Sequence, residues 1–222
     1  MFEDIIQNLN TSFSSINRDR CKDIVLDIHK IIYNKETSED EFSFPIINEI
    51  LASNLNYISD NYGDYDDLIE IYNPTNSEIN LSGYYISDSY DNLTKWIFPL
   101  NNSQFILPPD GYIKLWADGE IEEGPDHLSF SLNKNGESVI LTSPDGSTII
   151  DHKDFDYQMT NVSYGRDSQN NDNWIYFINP TIGYENNSGL NGILKPPFIL
   201  PDGGYYSQPI SVFLTNTNSL GE

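Results

Sequence analysis

From Phe44 onward the apolar residues come in short runs, FPIINEILA, DLIEIYN, GYYISD, KWIFP, GYIKLWAD, ESVILTS, STIIDH and WIYFIN, separated by turn text such as NPTN, PPDG, NKNG and SPDG. Runs of this length between Gly, Pro, Asn and Asp predict β-strands. Their succession predicts an antiparallel sandwich, because parallel strands would need crossover helices and no helical pattern separates them. In LIEIYN, Ile69 and Ile71 point one way while Glu70 and Tyr72 point the other, which predicts one buried and one wetted face. GYIKLWAD sets Ile113 and Leu115 against Tyr112, Lys114 and Trp116; two aromatics on the second face predict that it too is partly covered. In SPDGS, Asp145-Gly146 offers the positive backbone angle that a tight hairpin demands.

The text before Phe44 has a different period. In RDRCKDIVLDIHKIIYNK, Arg18 to Lys35, residues Ile24, Ile28, Ile31 and Ile32 recur at helical spacing among charged positions. This predicts an amphipathic helix packed on a neighbour, with His29 just off its apolar stripe. KETSEDEF then reads as a linker. Residues 1–43 are therefore expected to be a helical segment and linker, and residues 44–187 the sandwich.

Charge narrows the partners. The 222 residues carry 11 Lys and Arg against 34 Asp and Glu, a net charge of -23, so the chain repels phosphate backbones and anionic lipid. Nucleic acid is excluded on that ground, and no apolar stretch is long enough to insert in a membrane. Cys21 is the sole cysteine, which removes internal disulfides and multi-thiolate zinc sites. Glu3 and Asp4 stand where a secretory signal peptide would be basic.

The acidic stretch DNYGDYDDLIEIYN raises the question of chemistry. Asp60, Asp64, Asp66 and Asp67 share a short loop containing Gly63, and such a loop can supply oxygens to calcium or stand as a solvated acidic lip. Asp88 and Asp91 in SDSYDN would add ligands if that loop folds nearby. A catalytic carboxylate pair needs two groups facing across a cleft, one of them in an apolar pocket, and this loop does not suggest that setting. His127 and His152 lack a nucleophile elbow or an HExxH partner, and no glycine loop is followed by Lys-Ser or Lys-Thr, so no enzyme and no cofactor beyond calcium is expected. Tyr84, Tyr85, Trp96, Trp116 and Trp174 either pack a core or present a platform for polysaccharide.

Seven motifs in order, INEILASN, DDLIEIYNPT, INLSGYYISD, KWIFP, LPPDGYIKLWADG, HLSFSLNKNGESVILTSPDGSTIID and VSYGR, resemble the lamin tail domain in its bacterial extracellular form. Leu68 stands where that form usually has Trp. The resemblance implies an all-β, immunoglobulin-like antiparallel β-sandwich, here with a short N-terminal helical extension, at the cell surface or outside the cell. Within it Arg166 is expected to form a structural ion pair with Glu49 or Glu70, since a guanidinium fork suits a partly buried carboxylate. PPFILPDGGYYSQPISVFLTN, Pro196 to Asn216, resembles the opening strands of the chitobiase and β-hexosaminidase C-terminal module. Residues 188–222 are thus expected to be a linker and the start of a second such module. This pairing is similar to proteins of the spore coat protein H kinase-like family, which implies a longer parent chain. The functions implied are a non-catalytic adhesion or assembly module, partnered by other modules of the same chain or by cell-surface proteins, or a carbohydrate-binding accessory to a downstream kinase-like domain.

Overall fold

The computed structural model describes residues 43–194 and 197–215, so the helix predicted over Arg18–Lys35 lies outside the described residues. Among the described residues, those from Phe44 onward form one compact unit. Two antiparallel sheets face each other. The larger has five strands, β11 (Asn170–Phe177), β10 (Ser163–Asp167), β1 (Ile46–Leu51), β2 (Asp67–Tyr72) and β7 (Tyr112–Ala117), in that spatial order. The smaller runs β5 (Trp96–Ile97), β4 (Tyr85–Ser87), β8 (Gly136–Thr142) and β9 (Ile149–Asp156). Short pairs β3 (Ile79–Asn80) with β6 (Ile106–Leu107), and β12 (Phe198–Leu200) with β13 (Phe213–Thr215), stand apart from both sheets.

Alternation along the strands builds the core. Ile47, Ile50, Ile69, Ile71 and Leu115 from the five-stranded sheet meet Ile86, Val139 and Leu141 from the other, all shielded from water. Trp96, Phe98 and Phe105 meet edge to face within the same core, with centroids 4.9 to 6.3 Å apart. Each such side chain contributes about 1.5–3 kcal/mol by leaving water, and that burial holds the layers together.

The second face of the five-stranded sheet is covered, as the aromatics of GYIKLWAD predict and unlike the wetted face that LIEIYN predicts. Leu51, Leu68 and Trp116 form a smaller apolar cluster there with Ile182, and Glu70 is fully buried. The segment 180–186 lies across this face, tied to it by polar contacts with Glu49 and Glu70. Sandwich text alone hides this third layer, because the covering segment has no strand period.

A bulge shapes β1. Register with β2 shifts between Ile47 and Glu49, so Asn48 is the extra residue. This places Ile47 and Ile50 in the core and turns Glu49 to the covered outer face. Opposite Glu49 stands Gly165 of β10, where a Cβ would come within 2.8 Å of the Asn48 carbonyl oxygen and 3.1 Å of Glu49 Cγ. The glycine in VSYGR is thus required by close approach.

The hairpin between β8 and β9 forms, though with a longer connection than a two-residue turn. Residues 143–148 link the strands, Gly146 has φ +71°, and Asp145 Oδ1 accepts the backbone N–H groups of Ser147 and Thr148 at 2.7 and 2.8 Å. An aspartate-capped loop of this kind leaves the strands free to twist.

Candidate functional site

The expected acidic cluster divides when folded. Asn54 gathers the loop that carries it, donating from Nδ2 to the carbonyls of Ile58 (2.6 Å) and Asp66 (2.9 Å). Inside that frame Asp60 Oδ1 accepts three backbone N–H groups, from Tyr62 (2.9 Å), Gly63 (2.7 Å) and Asp64 (2.8 Å). Gly63 reaches its place with φ +96°, a conformation that glycine adopts readily. Burial pushes the Asp60 carboxyl up, but these donors outweigh it and hold it below the ordinary value. Asp64 is exposed and offers its backbone to this arrangement.

Asp67 does not join Asp60. It opens β2 beside Asn54, Leu132 and Lys134, lining a separate cleft, and burial there raises its carboxyl to about 6 despite backbone donors at Asn54 and Leu132. Neighbouring residues in a strand point to opposite sides, which separates Asp66 from Asp67 and breaks the four-residue set. Asp88 is also taken, by Lys95 Nζ at 2.5 Å.

A different acidic stretch completes the Asp60 neighbourhood. After β7 the chain loops out through DGEIEEGPDH and returns along the strand: Trp116 N–H donates to the Asp126 carbonyl at 2.9 Å and Leu128 N–H to the Trp116 carbonyl at 2.7 Å. That return buries His127, only 3% exposed, with its Nδ1 2.5 Å from Asp118 Oδ2. Its ring lies over Trp116, 6.3 Å between centroids at 27°, and takes the edge of Tyr62 at 6.4 Å. One ligand atom from each of Asp60, Glu123 and His127 lies within 4.8 Å of the others. Asp60 Oδ2, Asp66 Oδ2 and Glu123 Oε2 are buried with no hydrogen-bond partner. Burial raises the carboxyl of Asp66, with Asp118, Asp60 and Glu120 adding repulsion. The acid-rich run 118–126 ending at His127 was the sequence signal for this pocket; it is missed when the Asp60 loop is read alone.

The predicted Arg166 pair also changes partner. Arg166 Nη2 holds both oxygens of Asp151, at 2.8 and 2.7 Å, and Nε donates to the Ile47 carbonyl at 2.8 Å. Glu49 is instead bound by neutral groups: Ser163 Oγ, the Thr181 N–H (2.9 Å) and Thr181 Oγ1 (2.6 Å). Glu70 accepts from Asn48 Nδ2 (2.8 Å) and from the Gly183 N–H. The reason is facial: Glu49 and Glu70 lie on the outer face, whereas Arg166 reaches across to Asp151 of the other sheet. Burial raises both carboxyls, Glu70 to about 8.

The aromatics follow packing. Trp96, Trp116 and Trp174 are buried, and Tyr84 and Tyr85 half-buried, so these five form no open platform. Trp174 lies under the cations Lys153 and Arg166, 4.9 and 5.2 Å from its ring centre. An open polar groove of about 470 Å³ does exist elsewhere, bordered by Tyr72, Asp110, Tyr112, Asn171, Glu185 and Asn186 among others. Tyr72 and Tyr112 stack on one another there at 4.6 Å.

The family model of the lamin tail domain matches residues 27–156, more than half of the chain. The chain belongs to the lamin tail domain family. No curated protein and no solved structure matches it. The lamin tail domain is generally a non-catalytic, immunoglobulin-like module, and the antiparallel sheets described above agree with that fold. β10 and β11 follow the matched residues, yet they complete the five-stranded sheet, with β1 between β10 and β2.

Proposed function

We propose that this lamin tail domain is a non-catalytic structural module of a larger extracellular or cell-surface protein, working in adhesion or assembly. The observation that carries the reading is the use of the buried chemistry. Glu49 and Glu70, the two carboxylates best shielded from water among the described residues, fasten the domain's own segment 180–186. Net charge of -23 suits a module that must stay dispersed beside other acidic surfaces. The paired strands β12 and β13 fall in the stretch that resembles the chitobiase-type module.

A second reading, a carbohydrate-binding accessory to a downstream kinase-like domain, is favoured by the groove beside Tyr72 and Tyr112, with Asp110, Asn171 and Glu185 as hydrogen-bonding groups. Labelled full-length chain applied to producing cells and to a glycan array separates the two. Retention on cells that is lost after protease shaving, with a blank array, supports the structural role. Array binding that free sugar displaces and Tyr112→Ala abolishes supports the second reading, and turnover of any substrate by the purified chain contradicts the non-catalytic assignment.

A further inference from the structure

We propose that the chamber between the Asp60 loop and the 118–127 loop binds one divalent cation, with Asp60, Glu123 and His127 as its protein ligands. The three ligand atoms lie within 4.8 Å of one another, close to the span across a cation whose bonds are about 2.0–2.6 Å long. Proximity of acids would not suffice. The independent observation is Asp60 itself: it is 9% exposed, its Oδ1 is saturated by three backbone donors, and its Oδ2 has no partner.

Those donors occupy Oδ1 and leave Oδ2 to the space it shares with Glu123 and His127. Glu123 Oε2 enters the same space, also buried and without a donor. Two carboxylate oxygens brought together out of water repel strongly unless positive charge lies between them. Asp118 grips Nδ1 of His127 as carboxylates do behind metal-bound imidazoles, fixing the ring and its tautomer. An imidazole with two carboxylates suits a first-row ion such as Mn²⁺ or Zn²⁺ better than Ca²⁺, which prefers six to eight oxygens. The site is separate from the segment that carries the structural reading, so either can fail without the other.

The test is calorimetric titration of EDTA-stripped full-length chain with Mn²⁺, Zn²⁺ and Ca²⁺. One Mn²⁺ or Zn²⁺ per chain is expected, bound more tightly than Ca²⁺. Glu123→Gln is expected to weaken binding at least tenfold, and exposed Asp172→Asn, on the far edge strand β11, to leave it unchanged. Paramagnetic Mn²⁺ is expected to broaden the His127 ring resonances of the unmodified chain before those of His152, a readout independent of any variant. No binding at millimolar ion overturns the proposal and leaves a shared proton between Asp60 and Glu123 as the explanation. Binding that survives Glu123→Gln, or that favours Ca²⁺ and leaves His127 unbroadened, overturns it as well.

Discussion

Asp151 and Arg166 clasp the two sheets together. The aspartate sits on β9 of the four-stranded sheet and the arginine on β10 of the five-stranded one, joined through Nη2 at 2.7 and 2.8 Å. Both also bind the same residue of β1: Asp151 Oδ2 accepts the Ile47 N–H at 2.7 Å while Arg166 Nε donates to the Ile47 carbonyl at 2.8 Å. The β1–β10 register runs from Ile50 to Glu49 and then meets the bulge. The two side chains therefore supply the peptide partners that Ile47 lacks beyond it.

Arg166→Met is predicted to destabilise the domain by about 2 kcal/mol, because it strands the half-buried Asp151 carboxylate and the Ile47 carbonyl. Arg166→Lys recovers little, since an ammonium cannot serve Asp151, Ile47 and Asn171 from one planar fork. Urea unfolding of the three proteins checks the order, and an unchanged midpoint for Arg166→Met contradicts the clasp.

The pH dependence of stability follows from Glu70 and Glu49. Burial holds the Glu70 carboxyl near 8 in the folded protein and raises that of Glu49, against 4.5 for an ordinary glutamate. Between those values the folded state binds protons that the unfolded chain releases. The resulting stability is complete below about pH 4.5 and is lost as pH rises through about 8, a difference on the order of a few kcal/mol. Asp60, whose carboxyl is lowered, works in the opposite direction at acid pH. Melting temperature is therefore predicted to fall from pH 6 to pH 9, with a shallower slope in Glu70→Gln; equal slopes would show that Glu70 is not the group responsible.

Gly165→Ala is predicted to cost about 1–3 kcal/mol. The added methyl meets the Asn48 carbonyl oxygen at 2.8 Å, a backbone atom of the bulged strand, as well as Asn186 Nδ2 at 3.0 Å. Thermal melting reads the loss, and a neutral result would mean that β1 and β10 can separate at no cost.

The strand text was legible because burial imposes a period of two: the runs around Ile69, Ile113, Val139 and Ile175 all became strands. β10 was harder to read, since its SYGRD carries a glycine that β1 approaches closely and an arginine that serves the other sheet. Tyr112 and Trp116 signalled a covered outer face, but the covering segment itself was not legible, because it acts through two backbone N–H groups, of Thr181 and Gly183, and the side chains of Thr181 and Ile182. For the proposed cation site, Asp60 lies in the loop that the sequence singled out. That loop could not supply Glu123 and His127, which lie about sixty positions away and arrive only when the loop after β7 folds back along Trp116. Arg166 was likewise recognisable as a scarce cation in need of a carboxylate, but partner choice depends on which face each strand residue takes after the bulge.

Amide hydrogen exchange on the full-length chain tests most directly whether the five-stranded sheet is closed on both sides by its own chain. The Thr181 and Gly183 amides, bound to Glu49 and Glu70, are predicted to exchange as slowly as those of Ile50 and Ile69 in the central strands. Exchange of Thr181 and Gly183 at the rate of an unstructured peptide, while β1 and β2 stay protected, would contradict it.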